Sequence, residues 1–187
     1  MTMGQVTLSG QAPTVGFPVM SNTQIEQADT NALYEPGMVI AVRNNGNWSW
    51  AEYVQLDNNG CSQGEVLVTN FATFKQYSVR QAVVADDGYQ DTMRGISAAT
   101  IASQRFGWMY IGGYVEKADC SKTVASADGL TISASTAGKL TPVRASSVLN
   151  ATTGTVVNGT VPVGRIGIGR SAFATGVGSI TILGMWG

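Results

Sequence analysis

The stretch RFGWMYIGGYV (Arg105–Val115) leaves this chain few ways to fold. On a strand, side chains alternate, so Phe106, Trp108 and Tyr110 share one face while Met109 and Ile111 share the other. Both faces are apolar, which is the pattern of a strand covered on two sides. One cover is the interior of the fold, and the other is a loop or a neighbouring subunit. Phe106, Trp108, Met109, Tyr110 and Ile111 are therefore the candidate core and oligomer-contact strand. Gly112 and Gly113 let the chain bend or bulge before Tyr114 and Val115.

The surroundings agree with a β reading. Charged residues make up 12% of the chain, against about 25% in ordinary soluble domains. Such an exterior consists of Ser, Thr, Asn, Gln and Gly, or is covered by neighbouring chains. Sparse charge with 23 glycines and abundant Thr and Val predicts an all-β chain with many turns. GMVIAVR (Gly37–Arg43) and WSWAEYVQL (Trp48–Leu56) flank an Asn-Gly step, a hairpin signal. GEVLVTN and YSVRQAVVA follow as strands, and DDGYQDTMRG as a polar loop. ISAATIASQ (Ile96–Gln104) is the one segment that reads as helical. Short strands then recur in KTVAS, LTISA, GKLTPVRA, TVPVGRIGIG and GSITILGMW. The expected fold is an all-β, compact barrel or sandwich of short strands over residues 36–187, with a long loop near 146–160. Residues 1–35 are polar, contain Pro13 and Pro18 and show no period, which predicts an extended N-terminal arm. A tail without a core of its own is either disordered or ordered on another chain.

Chemistry is narrowed mostly by exclusion. With no histidine, His-based triads, imidazole bases and the usual zinc sites are out of reach. Ser121 with Lys122 is a poor nucleophile pair, since adjacent strand residues face opposite ways, and Lys75 with Ser78 is no better supported. Asp86, Asp87 and Asp91 lack the register of a calcium loop and read as a solvated loop. GIGRSA (Gly167–Ala172) matches a dinucleotide fingerprint in letters only, because no helix and no acidic residue follow it. Its glycines serve turns or close strand packing. Cys61 and Cys120 read as small buried hydrophobes in preference to a bridge. The sequons at Asn47, Asn150 and Asn158 read as chance matches. A net charge of −1 offers no general attraction to nucleic acid or anionic membrane. No run of eighteen apolar residues marks a transmembrane helix, and MTMGQVTLSG lacks the pattern of a secretory signal. The acids stop at Asp128; beyond it stand only Lys139, Arg144, Arg165 and Arg170. The expectation is a protein with no cofactor and no catalytic residues, whose product is an interface.

The order of these phrases resembles a family. AVRNNGNWSWAEYVQLDNNGCSQGEVLV, then IASQRFGWMYIGGYVEKADCSKTVASADGLTISASTAGKLTPV, then VGRIGIGRSAFATGVGSITIL is similar to the small β-barrel decoration, or cement, proteins of tailed-phage capsids. The resemblance covers most of residues 37–184. It departs in the length of Ser146–Thr160 and in Arg170 and Ser171, where the family is more apolar. It implies a homo-oligomer, often a trimer, on the capsid exterior, made in the host cytoplasm and tying major capsid protein subunits together. The competing expectation is a receptor- or glycan-binding virion module. Its stacking platforms would come from Trp48, Trp50, Trp108 and Trp186 with Tyr34, Tyr53, Tyr89, Tyr110 and Tyr114. Exposure decides between them, because sugar-binding rings must stand open in a row.

Overall fold

The structure, a computed structural model, describes residues 18–44, 46–57, 59–70, 77–83, 93–143, 147–149, 156–158 and 167–182. Its elements are β1 (Val19–Ser21), α1 (Asn22–Ile25), β2 (Val39–Asn44), β3 (Asn47–Leu56), β4 (Val66–Thr69), β5 (Ser78–Gln81) and β6 (Met93–Ser97). These are followed by β7 (Phe106–Cys120), β8 (Gly129–Ile132), β9 (Leu140–Val143), β10 (Ser147–Leu149), β11 (Val156–Asn158), β12 (Gly167–Gly169) and β13 (Gly176–Ile182). The chain is all-β, with α1 the one helix among the described residues.

One sheet of 11 strands runs β1-β2-β3-β5-β4-β6-β7-β13-β12-β8-β9, and two further pairings, β3–β7 and β7–β9, join it to itself. The pairing therefore closes twice on β7, once through β3, β5, β4 and β6 and once through β13, β12, β8 and β9. What reads in sequence as a barrel or a sandwich is a single sheet with one strand common to both closures. β7 is also longer than the short strands expected downstream of Val115, because it continues through Glu116 to Cys120.

The Asn-Gly signal forms its hairpin: β2 and β3 pair antiparallel up to Asn44↔Asn47, and Gly46 takes a φ of +81°. β3 then runs beside β7 from Gln55↔Phe106 to Ser49↔Gly113. Trp50 faces Gly112 while Ala51 faces Tyr110, so Ile111 is an extra residue in a bulge. From Gly113 onward the partner of β7 is β13, up to Gly176↔Cys120. Gly113 is the point of exchange. Its φ is +82°, and a Cβ there would lie 2.5 Å from the Trp48 carbonyl oxygen, so only glycine suits both backbone and space.

Two apolar clusters occupy the two sides of β7. Trp108, Tyr110, Val115 and Cys120 join the larger one, with residues from both closures. Met109 and Ile111 join a smaller one with Val54, Leu56, Leu67 and Val79.

Three segments differ from their expected form. Ile96–Gln104 is not a helix: Met93–Ser97 is strand β6, which also takes Met93–Gly95 out of the predicted polar loop, and Ile101 forms a bridge with Cys61. Its apolar residues divide between the clusters, Ile96 and Ala98 in one and Ala99 and Ile101 in the other, which a one-faced helix does not allow. The segment expected as a long loop near 146–160 carries the two-stranded β10–β11 ribbon. Finally, residues 18–35 of the arm lie on the chain's own sheet. β1 pairs parallel with β2, Ile25 is fully buried, and Asp29 and Phe106 exchange backbone hydrogen bonds of 2.8 and 3.0 Å. From Pro18 onward the arm is thus neither disordered nor held by another chain but ordered on its own sheet, and residues 1–17 lie outside the described residues.

Candidate interaction surface

The first half of β7 is a covered element. Trp108, Met109, Tyr110 and Ile111 are buried and Phe106 is half-buried. On the aromatic side, the Trp108 ring lies 5.0 Å from Tyr53 and 5.2 Å from Tyr34, and Tyr53 stacks on Phe106 at 6.1 Å. The polar ends of these rings are tied to the strap of residues 18–35. Tyr53 Oη donates to Asp29 Oδ2 at 2.6 Å and accepts from the Leu33 N–H at 3.2 Å. Tyr110 Oη donates to Asn22 Oδ1. Burial, more than any other influence, pushes both phenols above their ordinary range, with Asp29 adding to the effect on Tyr53 and Glu26 to that on Tyr110. On the opposite side, Met109 and Ile111 meet the chain's own smaller cluster.

The other candidate chemistry is dispersed. Ser121 Oγ bonds Ser133 Oγ at 3.1 Å and the Leu140 carbonyl at 3.2 Å, while Lys122 is exposed. Ser78 is buried; Lys75, Asp86, Asp87 and Asp91 lie outside the described residues. In the dinucleotide look-alike, Gly167–Gly169 is strand β12, and a Cβ on Gly169 would lie 2.6 Å from Val124 Cγ1, so the glycine serves close packing. Both cysteines are free and buried. Burial raises the Cys61 thiol and pushes Cys120 up to about 12, far from the thiolate a nucleophile needs. Among the described residues no group of three His, Cys, Asp or Glu side chains could hold a metal ion.

The proposed sugar platforms separate by exposure. Trp108, Tyr53 and Tyr110 are buried; Tyr34, Trp50 and Tyr114 are half-buried; Trp48 alone of the described set is exposed; Trp186 and Tyr89 lie outside the described residues. They do not form an open row. Trp48 instead carries the Arg43 guanidinium 5.9 Å from its ring centre, and Tyr114 carries Arg170 at 5.4 Å.

Sequence reasoning did not find the imbalance of outward charge. Every described acid except Glu35 is engaged within the chain. Glu26, Glu52 and Asp119 pair with Lys117, Arg94 and Lys139 at 3.0, 2.6 and 3.1 Å. Asp29, Asp57, Glu65, Glu116 and Asp128 accept hydrogen bonds from Tyr53, Asn70, Ser62 and Gln81, Asn44 and Ala125. Glu52 is the most confined: burial raises its pKa, and Arg94 opposes that shift. By contrast, Arg43, Arg105, Lys122 and Arg170 are exposed. Among the described residues the fully exposed charges are therefore four cations and one acid, Glu35, in a chain of formal charge −1.

No protein-family model matches the chain, and no curated protein matches it significantly.

Proposed function

We propose that this chain is a structural virion protein that decorates the outer surface of a tailed-phage capsid and bridges major capsid protein subunits, acting as a homo-oligomer with a trimer favoured. The reading rests on the order of Gly-rich strand phrases over residues 37–184. It is supported by one observation above the rest: the most distinctive phrase, around Trp108, is the strand on which the sheet closes twice. A binding function suits a molecule whose distinctive aromatics are used to hold its own strap, leaving recognition to its outer faces. In this reading the protein needs neither catalytic residues nor a cofactor, and it is made in the host cytoplasm and carried on the virion.

The test is add-back. Capsids lacking the protein are mixed with purified chain, and bound copies are counted and located by electron cryo-microscopy. The expected result is saturable binding at fixed positions between capsid subunits, with a rise in shell resistance to heat, since a ligand of the assembled state stabilises it. A chain that neither self-associates nor binds such capsids overturns the proposal.

A further inference from the structure

One face of β3 changes character along its length. Val54 and Leu56 are buried in the smaller cluster, Glu52 is buried, Trp50 is half-buried against that cluster, and Trp48 is 55% exposed. Among the described residues, the cover that seals one end of this face, which includes Ile101 and Cys61, does not reach the other. At the open end the hairpin meets β7. Ser49 Oγ donates to the Tyr114 carbonyl, and the Trp48 carbonyl lies against Gly113, so the backbones of Trp48 and Tyr114 are neighbours. Both rings carry an arginine, Arg43 and Arg170. The nearby Glu116 carboxylate accepts from Asn44 Nδ2 at 3.0 Å.

We infer that the Arg43–Trp48 and Arg170–Tyr114 pairs form one docking surface for a carboxylate-bearing patch on a partner protein. Each ring orients a guanidinium whose planar fork matches a carboxylate. A stacked arginine also occupies a face that a sugar would need, which disfavours a glycan. Two guanidiniums beside an exposed Trp resemble the anchor composition of a protein interface. They would neutralise too few phosphates for strong binding to nucleic acid. The fully exposed charges among the described residues, Arg43, Arg105, Lys122 and Arg170 against Glu35 alone, add complementarity to an acidic partner.

This inference rests on the decoration reading, in which the partner is the capsid subunit, and one experiment separates the two. Affinity for capsids lacking the protein is measured from low to high salt for the wild type, for Arg43→Glu with Arg170→Glu, and for the charge-matched control Arg105→Glu with Lys122→Glu. Arg43→Gln with Arg170→Gln serves if the reversed pair does not fold. The expected result is a loss of about 100-fold at low salt for the Arg43 and Arg170 variants, with a shallower salt dependence, while the control binds like the wild type. Equal losses in the two charge-reversed variants indicate general attraction and overturn the docking surface, as does no loss in either. A wild type that fails to bind overturns the decoration reading as well.

Discussion

Trp48 and Trp108 sit on paired strands, β3 and β7, yet one is 55% exposed and the other 2%. Nothing in their own chemistry makes the difference. Trp108 lies on the side of β7 that receives the strap, where Tyr34 packs against it and Tyr53 stands directly opposite. Trp48 lies on the side where the chain's own cover ends, with Arg43 opposite. A buried aromatic is a matter of what crosses the sheet, and the strap is what crosses it here. Stability therefore belongs to Trp108 and its surroundings, and the proposed docking surface gives recognition to Trp48.

The sharpest way to break this division is to truncate both rings. Trp108→Ala should lower unfolding free energy by about 3–5 kcal/mol, whereas Trp48→Ala should stay within about 0.5 kcal/mol; denaturant titration decides. Comparable losses at the two positions would erase the distinction. Ile25→Ala tests the strap itself. Its side chain is fully buried, so truncation should cost about 2–5 kcal/mol. Because the contact belongs to the strap, proteolysis near residues 18–35 should accelerate more than cleavage elsewhere. Uniform acceleration would mean that the strap is not a separate cover. Gly113→Ala probes the exchange of partners along β7. A left-handed φ on a non-glycine costs about 1–3 kcal/mol, and the contact with the Trp48 carbonyl adds to it. An unchanged midpoint would refute the account of that junction.

Much of the sheet is legible in the sequence for local reasons. Alternation assigns Phe106, Trp108 and Tyr110 to one side of β7, and Asn-Gly marks the hairpin. What is not legible depends on distant partners. The strap has no period of its own because its order comes from contacts such as Asp29 with Phe106 and Asn22 with Tyr110. Ile96–Gln104 looks helical because its apolar residues serve two clusters, which disrupts simple alternation. The double closure is invisible because β7 changes partners halfway, and composition along a strand does not record which neighbour it has. Outward charge is hidden for the same reason. Composition counts every charge alike, while among the described residues the fold leaves Arg43, Arg105, Lys122 and Arg170 exposed against Glu35 alone.

A smaller effect isolates the polar side of the buried region. Tyr53→Phe removes the donor to Asp29 and the acceptor for the Leu33 N–H, while the ring contacts with Trp108 and Phe106 remain. Loss of a hydrogen bond to a charged group predicts about 1.5–3 kcal/mol, read by thermal or chemical unfolding. The variant should be less damaged than Trp108→Ala. If it is damaged equally, the strap is held chiefly by its polar contacts, and the emphasis on apolar cover is wrong.

The gentlest probe is alkaline pH, because it perturbs the buried groups without changing any atom but hydrogen. Burial lifts Cys120 from 9.0 to about 12, and lifts Tyr53 and Tyr110 above 10.0. For each group the folded chain holds its proton at pH values where the unfolded chain has released it. Stability linked to these groups is therefore complete below the unfolded values and is lost as pH rises through the folded ones. Between pH 9 and 12 the unfolding midpoint should fall, with Cys120 contributing from the lower end. Cys120→Ala should flatten that early slope, whatever it costs at neutral pH. Trp48→Ala, which touches none of these groups, should leave the slope intact. Phenolate absorbance from Tyr53 and Tyr110 should rise only as the chain unfolds. If it rises first, with the fold intact, the strap does not seal the aromatic side, and Trp108 is separated from solvent by less than its burial implies.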